Sequence, residues 1–328
     1  VYKRQKYHHG AKTERHFDGL GSIAVTLMPN PSHLEFVNPV VNGFARARQF
    51  AGPGVDTLAD CSAVVPVLVH GDAAFGGEGV VAETLNMARL FGYDVGGSVH
   101  IIVNNQVGFT TDPSDGRSTL YASDLAKGYG IPVVHVNADD PEACLAAVRL
   151  AMAYRKQFQD DFVIDLVGYR RHGHNEGDEP AYTQPLLYKE ISEHATVRAL
   201  YAGHLGENGI VSEGEVQEMV EEVSGRLREA QDRVREYQPV GDDELDPDYE
   251  IPVVPETTGV SLDTLVTINE ALATLPDGFT PHPKLWRQLA RRAEDFEPAK
   301  AIDWGHAEAL ALGSLLEEGI PVRLTGQD

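Results

Sequence analysis

The sequence is poor in the features that mark several specialised classes of protein. Its 328 residues include only two cysteines, Cys61 and Cys144, and both lie in apolar surroundings. Because two such thiols form neither a disulfide framework nor a cysteine-rich metal site, we predict that both are buried and reduced. No apolar run approaches the roughly 18 residues that span a membrane, and no signal-peptide pattern is present.

Positive charge is also scarce. The chain has 27 lysines and arginines against 50 aspartates and glutamates, which gives a formal net charge of −23. This balance disfavours binding to nucleic acid or to anionic membrane surfaces, so we expect neither partner. The length is sufficient for one large or two modest domains, and a hydrophobic content of 42% is ordinary for a globular core.

The segment 64–111 has the pattern of a strand, a turn, a helix and a second strand. A first apolar run ends just before Asp72, and a second ends in Asn104-Asn105. Between them lie a glycine-rich turn and an amphipathic segment from about residue 80 to residue 91. The pattern predicts one βαβ unit with parallel strands. Since ligands bind at the carboxyl edge of such sheets, the polar residues at both strand ends are candidates for a site.

The residue types at these strand ends suit a metal-bound diphosphate. Asp72 offers a carboxylate, Asn105 a side-chain carbonyl, and the backbone around Val107 a peptide carbonyl. Hard oxygen ligands of this kind suit Mg2+, which shares its coordination shell with water and phosphate oxygens. The glycine-rich segment 71–79 lets backbone amides approach an anion. The pattern alone leaves a second interpretation open, in which the same residues are ordinary caps and turn residues.

Strands and helices alternate further along the chain. Residues 1–20 are predicted to be a solvated basic loop, and strands are predicted over 22–28, 132–137 and 162–167. The alternation predicts an α/β fold with a doubly wound, mostly parallel sheet and helices on both faces. We expect the two segments that follow the first and last of these strands to reach the same edge of the sheet as Asp72.

The first of these two segments is Asn30–Glu35, where two prolines exclude a helix. By residue type alone, Ser32 could cap a helix and His33 could be a solvated turn residue. The second segment, Gly168–Pro180, is rich in arginine, histidine and acidic residues. It is either a solvated charged loop or part of a binding site, and a zinc site lacks further ligands at suitable spacing.

The last third of the chain has a different character. Four helices are predicted, at 210–236, 261–273, 283–294 and 304–318, with an acidic, proline-containing linker at 239–255. No catalytic motif is present in this part, which favours a helical scaffold or connector.

Four motifs, GDAAF, NNQVGFTT, NPSHLE and GYRRHGHNE, resemble the thiamine-diphosphate-dependent, decarboxylating components of 2-oxoglutarate dehydrogenase complexes. Asn104 follows Asp72 by 32 positions, as in the cofactor-binding motif of this family, with Ala73 in place of a glycine. The resemblance implies a thiamine-diphosphate-binding fold. It further implies a diphosphate-binding domain over 1–205, a helical extension and linker over 206–318, and the start of a pyrimidine-binding domain at 319–328.

The resemblance also implies an oxidoreductase of the tricarboxylic acid cycle. Such a component decarboxylates 2-oxoglutarate with thiamine diphosphate and Mg2+, and passes the succinyl group to a lipoyl group of a partner succinyltransferase. A homodimer formed through the cofactor site is expected, in the cytoplasm of a bacterium or the mitochondrial matrix of a eukaryote. We expect these 328 residues to be inactive alone. Two alternatives are a 2-oxoadipate dehydrogenase-like component and a non-catalytic module of the same fold.

The site residues implied by the resemblance form overlapping sets. The metal ligands are Asp72, Asn105 and the Val107 carbonyl. The cofactor contacts are Ser32, His33, Leu34, Asp72, Ala73, Ala74, Asn105, Val107 and His174. The substrate contacts are His8 and Ser32, and the catalytic histidines are His8 and His33. Arg170 or Arg171 is expected to add positive charge near the phosphate.

Overall fold

The computed structural model describes residues 8–19, 21–50, 60–236, 258–294, 296 and 301–324. These residues fall into two compact units, and the division along the chain lies near residue 233. The three-part division predicted from the sequence stays a prediction. Within the described residues, no helix is both long enough and apolar enough to cross a membrane.

An antiparallel hairpin precedes the parallel sheet in the chain. Its strands are β1 (Ala11–Phe17) and β2 (Gly21–Leu27), and Ala11 pairs with Leu27. The prediction that β2 leads into the edge of the parallel sheet was wrong, because β2 pairs with β1 in a separate two-stranded sheet. The predicted solvated loop over 1–20 was wrong for the β1 residues, although their side chains are exposed.

A four-stranded parallel sheet forms the centre of the first unit. Its strands are β3 (Val67–Gly71), β4 (Val99–Asn104), β5 (Val133–Asn137) and β6 (Phe162–Val167). They lie in the order β3-β4-β6-β5, and every neighbouring pair is parallel. The α/β fold class predicted from the sequence is confirmed.

Nine α-helices lie among the described residues between 8 and 236. Their bounds are α1 (Val37–Gln49), α2 (Asp72–Gly77), α3 (Gly79–Met87), α4 (Pro113–Gly116), α5 (Asp124–Lys127), α6 (Pro141–Phe158), α7 (Pro185–Glu193), α8 (Val197–Glu207) and α9 (Glu213–Glu236). The glycine-rich segment is therefore a short helix, α2, followed by α3, and not the open turn that was predicted. Separate helices, α7 and α8, occupy 185–207, because Thr196 caps α8 by accepting a hydrogen bond from the Ala199 amide.

Hydrophobic clusters lie on both faces of the parallel sheet. Adjacent residues of β6, Val163 and Ile164, belong to different clusters because successive side chains of a strand point to opposite faces. Phe75 and Leu85, from α2 and α3, join Val163 on one face, whereas Ala151 of α6 joins Ile164 on the other. This arrangement explains why the sheet is covered by helices on both sides.

Arg155 ties the second face to the start of the strands. It lies near the end of α6 and is buried, and its Nε donates a hydrogen bond to the carbonyl of Gly97 at 2.7 Å. Its Nη2 atom lies within hydrogen-bond distance of the carbonyls of Cys61, Val64 and Val95.

Cys61 and Cys144 are half-buried free thiols, so the prediction that both are buried was wrong. Burial raises the pKa of each thiol.

The second unit contains three helices in the part that the structure describes. They are α10 (Leu262–Leu272), α11 (Pro283–Glu294) and α12 (Trp304–Glu317). A side-chain hydrogen bond joins α10 to α12, with Oδ1 of buried Asn269 lying 2.8 Å from Nε2 of buried His306. The predicted linker at 239–255 lies outside the described residues, and the described residues 320–324 form no helix or strand.

Gly97 should tolerate no side chain. Its φ of +88° lies in the left-handed region, and a Cβ atom there would lie 2.2 Å from the carbonyl oxygen of Asp160. We predict that Gly97→Ala lowers the free energy of unfolding by at least about 2 kcal/mol, measured by denaturant unfolding. Gly43→Ala in α1 is the matched control, because open space surrounds that position. It should be neutral or stabilise the protein by up to about 1 kcal/mol, and equal losses in both variants would contradict the prediction.

Candidate functional site

Asp72 and Asn105 meet at the carboxyl edge of the parallel sheet. Asp72 directly follows β3 as the first residue of α2 and is only 3% exposed. Asn105 directly follows β4, and its backbone amide is near enough to lower the pKa of the Asp72 carboxyl. Burial has the larger effect and raises the pKa of Asp72, although the backbone amides of Asp72 and Asn105 and the nearby Arg117 cation act in the opposite direction.

The loop after β4 is held by the side chains of its own asparagines. Asn104 Oδ1 accepts a hydrogen bond from the Gln106 amide at 3.1 Å, and Asn105 Oδ1 accepts one from the Val107 amide at 3.2 Å. Gln106 adopts a left-handed conformation with a φ of +61°. Since a side-chain carbonyl oxygen has two lone pairs, Asn105 keeps one for a further donor or a metal.

Hydrogen bonds to a buried carboxylate of the sheet hold the loop after β4 in place. Asp165 of β6 accepts hydrogen bonds from Asn104 Nδ2 at 3.0 Å and from Ser123 Oγ at 3.2 Å. Its second oxygen also lies 2.9 Å from Nδ1 of His135 on β5. Three partners compensate for the burial of this charge, which would otherwise be costly.

Close packing explains two of the small residues in the site. A Cβ atom on Gly108 would lie 2.8 Å from Cβ of Ala73, so this loop and the start of α2 approach closely. Ala73 is exposed whereas Ala74 is buried, and Val107 is also buried. Only Ala73 of the two alanines therefore presents its side chain to solvent beside Asp72.

The turn before α1 brings His8 and Ser32 together. Nε2 of His8 lies 3.2 Å from Oγ of Ser32, and Nδ1 of His8 is buried with no partner among the described residues. His33 is exposed, and its ring packs edge-on against Phe36 with centroids 5.2 Å apart. Leu34 is exposed as well. The two residues predicted to contact the substrate are thus neighbours, although 24 positions separate them.

A chain of four buried ionisable side chains connects this turn to the sheet, and the sequence reasoning missed it. Glu35 Oε2 lies 2.5 Å from His70 Nδ1, His70 Nε2 lies 3.0 Å from His100 Nδ1, and His100 Nε2 lies 3.1 Å from Asp161 Oδ2. No member is more than 8% exposed. A usable signal was present, since His70 and His100 interrupt strands that are otherwise apolar.

The charged loop after β6 reaches the loop after β4. The ring of His174 packs edge-on against Phe109 with centroids 4.9 Å apart, and Arg170 Nη2 donates to the Phe109 carbonyl at 3.0 Å. Arg171 instead donates to Tyr169 Oη and to the His194 carbonyl. Of the two arginines left open by the sequence, Arg170 is the one beside the candidate site.

No group of three or more histidine, cysteine, aspartate or glutamate side chains is placed to hold a metal within the described residues. The predicted ligand set is of a different kind, since it combines one carboxylate, one amide oxygen and one peptide carbonyl. The parallel pairing of β3 with β4 brings the first two of these residues to the same edge of the sheet. The donor set present therefore fits a hard divalent cation that completes its coordination with water and phosphate oxygens.

Comparison with known proteins agrees with this fold. A family model described as "Dehydrogenase E1 component" matches residues 1–241. Because that match covers more than half of the chain, the chain belongs to the dehydrogenase E1 component family. The resemblance drawn from the four sequence motifs is confirmed at the level of the family.

Relatives with curated names extend the comparison. A protein of Geobacillus kaustophilus named "2-oxoglutarate dehydrogenase E1 component" is 53% identical over 98% of this chain and 34% of its own length. Proteins with the same name from Oceanobacillus iheyensis and Bacillus cereus are each 51% identical, over 98% and 94% of this chain. The chain spans about a third of the length of these relatives.

The buried chain should contribute to stability through its charge. We predict that Glu35→Gln lowers the free energy of unfolding by about 1–3 kcal/mol, because the buried His70 loses a charged acceptor. Denaturant unfolding at pH 7.5 measures this loss. Glu14→Gln on the exposed strand β1 is the control and should change it by less than about 0.5 kcal/mol. Indistinguishable results for the two variants would refute a role of the buried charge.

Proposed function

We propose that this chain forms the diphosphate- and metal-binding part of a 2-oxoglutarate dehydrogenase decarboxylating component. The observation that carries the proposal is the position of Asp72 and Asn105 directly after the neighbouring parallel strands β3 and β4, in which Gly71 pairs with Val103. The names of relatives at 51–53% identity support it. A non-catalytic module and a preference for 2-oxoadipate have no observation in their favour.

In this proposal Asp72, Asn105 and the Val107 carbonyl hold Mg2+, and the metal binds the diphosphate of thiamine diphosphate. The start of α2 at Ala73 and Ala74 lies against the cofactor, with the exposed side chain of Ala73 facing it and that of Ala74 packed behind. When bound, thiamine diphosphate would supply the nucleophile and the electron sink for the decarboxylation of a 2-oxo acid. The protein holds the cofactor's phosphate end, and the rigid loop after β4 orients the ligands before binding.

The other predicted residues have separate tasks. Ser32, His33 and Leu34 line the cofactor on the turn before α1, and His8 and Ser32 bind the substrate as a hydrogen-bonded pair. His8 and His33 can donate a hydrogen bond or a proton to a developing oxyanion. His174 contacts the terminal phosphate, and Arg170 adds positive charge from the same loop.

The partners follow from this assignment. The substrate is 2-oxoglutarate, and the acceptor of the succinyl group is a lipoyl group on a succinyltransferase. We further propose a homodimer, assembled through the cofactor site, that works in the cytoplasm as part of a multienzyme complex of the tricarboxylic acid cycle.

The decisive test uses the full-length protein that contains this chain. We predict that it binds thiamine diphosphate in the presence of Mg2+ and decarboxylates 2-oxoglutarate faster than 2-oxoadipate. Asp72→Asn removes the charged metal ligand and should weaken cofactor binding at least about 100-fold in calorimetric titrations. Asp115→Asn, on the exposed surface of α4, is the control and should leave binding unchanged. Absence of cofactor binding by the unmodified protein would sink the proposal.

A further inference from the structure

Arg117 lies beside Asp72, the candidate metal ligand, and forms only a loose ion pair with it. It directly follows α4, which packs against α2. Nη1 of Arg117 lies 3.7 Å from Oδ2 of Asp72. This separation is an ion pair but exceeds the roughly 3.2 Å of a good N–H···O hydrogen bond. Nε of Arg117 is buried and has no acceptor within the described residues.

The geometry points to an exchange of partners at this arginine. We propose that Arg117 pairs with Asp72 when the site is empty, and that it binds the diphosphate of the cofactor when Asp72 holds the metal. This inference rests on the proposed function, because it adds a phosphate-binding residue to the same site. Arg117 is not among the site residues predicted from the sequence.

Charge is the reason for the exchange. A divalent cation on Asp72 would place two cationic groups around one carboxylate, which is unfavourable in a site where the Asp72 side chain is 4% exposed and that of Arg117 18%. A diphosphate brings the negative charge that both cations require. The planar guanidinium also matches two phosphate oxygens at once, which makes this a strong kind of contact.

One consequence separates this role from a merely structural one. Without diphosphate, Arg117 competes with the metal for Asp72, so it should weaken the binding of metal alone. With diphosphate, it should strengthen cofactor binding. Arg117 therefore increases the coupling between the two ligands, and its removal should change the two affinities in opposite directions.

The test uses the full-length protein stripped of metal and cofactor, and the variants Arg117→Met and Arg117→Lys. Calorimetry measures thiamine diphosphate binding at saturating Mg2+, and electron paramagnetic resonance measures binding of Mn2+ alone. We expect Arg117→Met to weaken thiamine diphosphate binding roughly 10- to 100-fold and to tighten Mn2+ binding several-fold. Arg117→Lys keeps the charge but loses the forked geometry, so its effect on the cofactor should be intermediate.

Arg89→Met is the matched control, since Arg89 is a partly exposed arginine that pairs with Asp160. It should change neither affinity. Unchanged thiamine diphosphate binding in both Arg117 variants would overturn the inference, as would weaker binding of both cofactor and Mn2+. An increased KM for 2-oxoglutarate with unchanged cofactor affinity would also overturn it and would assign Arg117 to the substrate. If the unmodified protein binds no thiamine diphosphate, the proposed function fails instead.

Discussion

The buried chain from Glu35 to Asp161 is the constraint on which the candidate site depends. Glu35 has a left-handed backbone with a φ of +69°, an unfavourable conformation for a residue with a side chain. Its carboxylate is nevertheless fixed by His70 and by Asn38, whose Nδ2 donates at 2.6 Å. The turn that contains Ser32 is therefore attached to β3 at His70, two positions before Asp72. The polar turn reaches the parallel sheet through side chains, although β2 belongs to another sheet.

A second buried carboxylate performs the corresponding task for the other strand. Asp165 holds Asn104, and Asn104 holds the amide of Gln106, so the backbone that presents Asn105 is supported from inside the sheet. Buried charges of this kind are costly unless they are paired and hydrogen-bonded. Both carboxylates have such partners, and both lie behind residues that the proposed function places against the metal or the cofactor. Rigid support of this sort is what an accurately positioned site requires.

The sequence predicted the parallel sheet well because each strand is a short apolar run bounded by turn residues, as in 162–167. It failed where pairing depends on distant segments. The partner of β2 is β1, whose polar composition resembles that of a loop, and nothing local distinguishes a hairpin from an edge strand there. Contacts between side chains could not be predicted from the sequence either. The pairing of His70 with Glu35 follows from the packing of the turn on β3, and the position of Arg117 follows from the packing of α4 on α2.

The hydrogen bonds of the buried chain also determine how many protons it can hold. His70 Nε2 and His100 Nδ1 lie 3.0 Å apart, and only one proton fits between them. The ring that holds this proton is the donor and makes the other ring the acceptor, while the two outer nitrogens face the carboxylates of Glu35 and Asp161. The tautomers of the two histidines are thus coupled across β3 and β4, from the turn before α1 to the residue before β6.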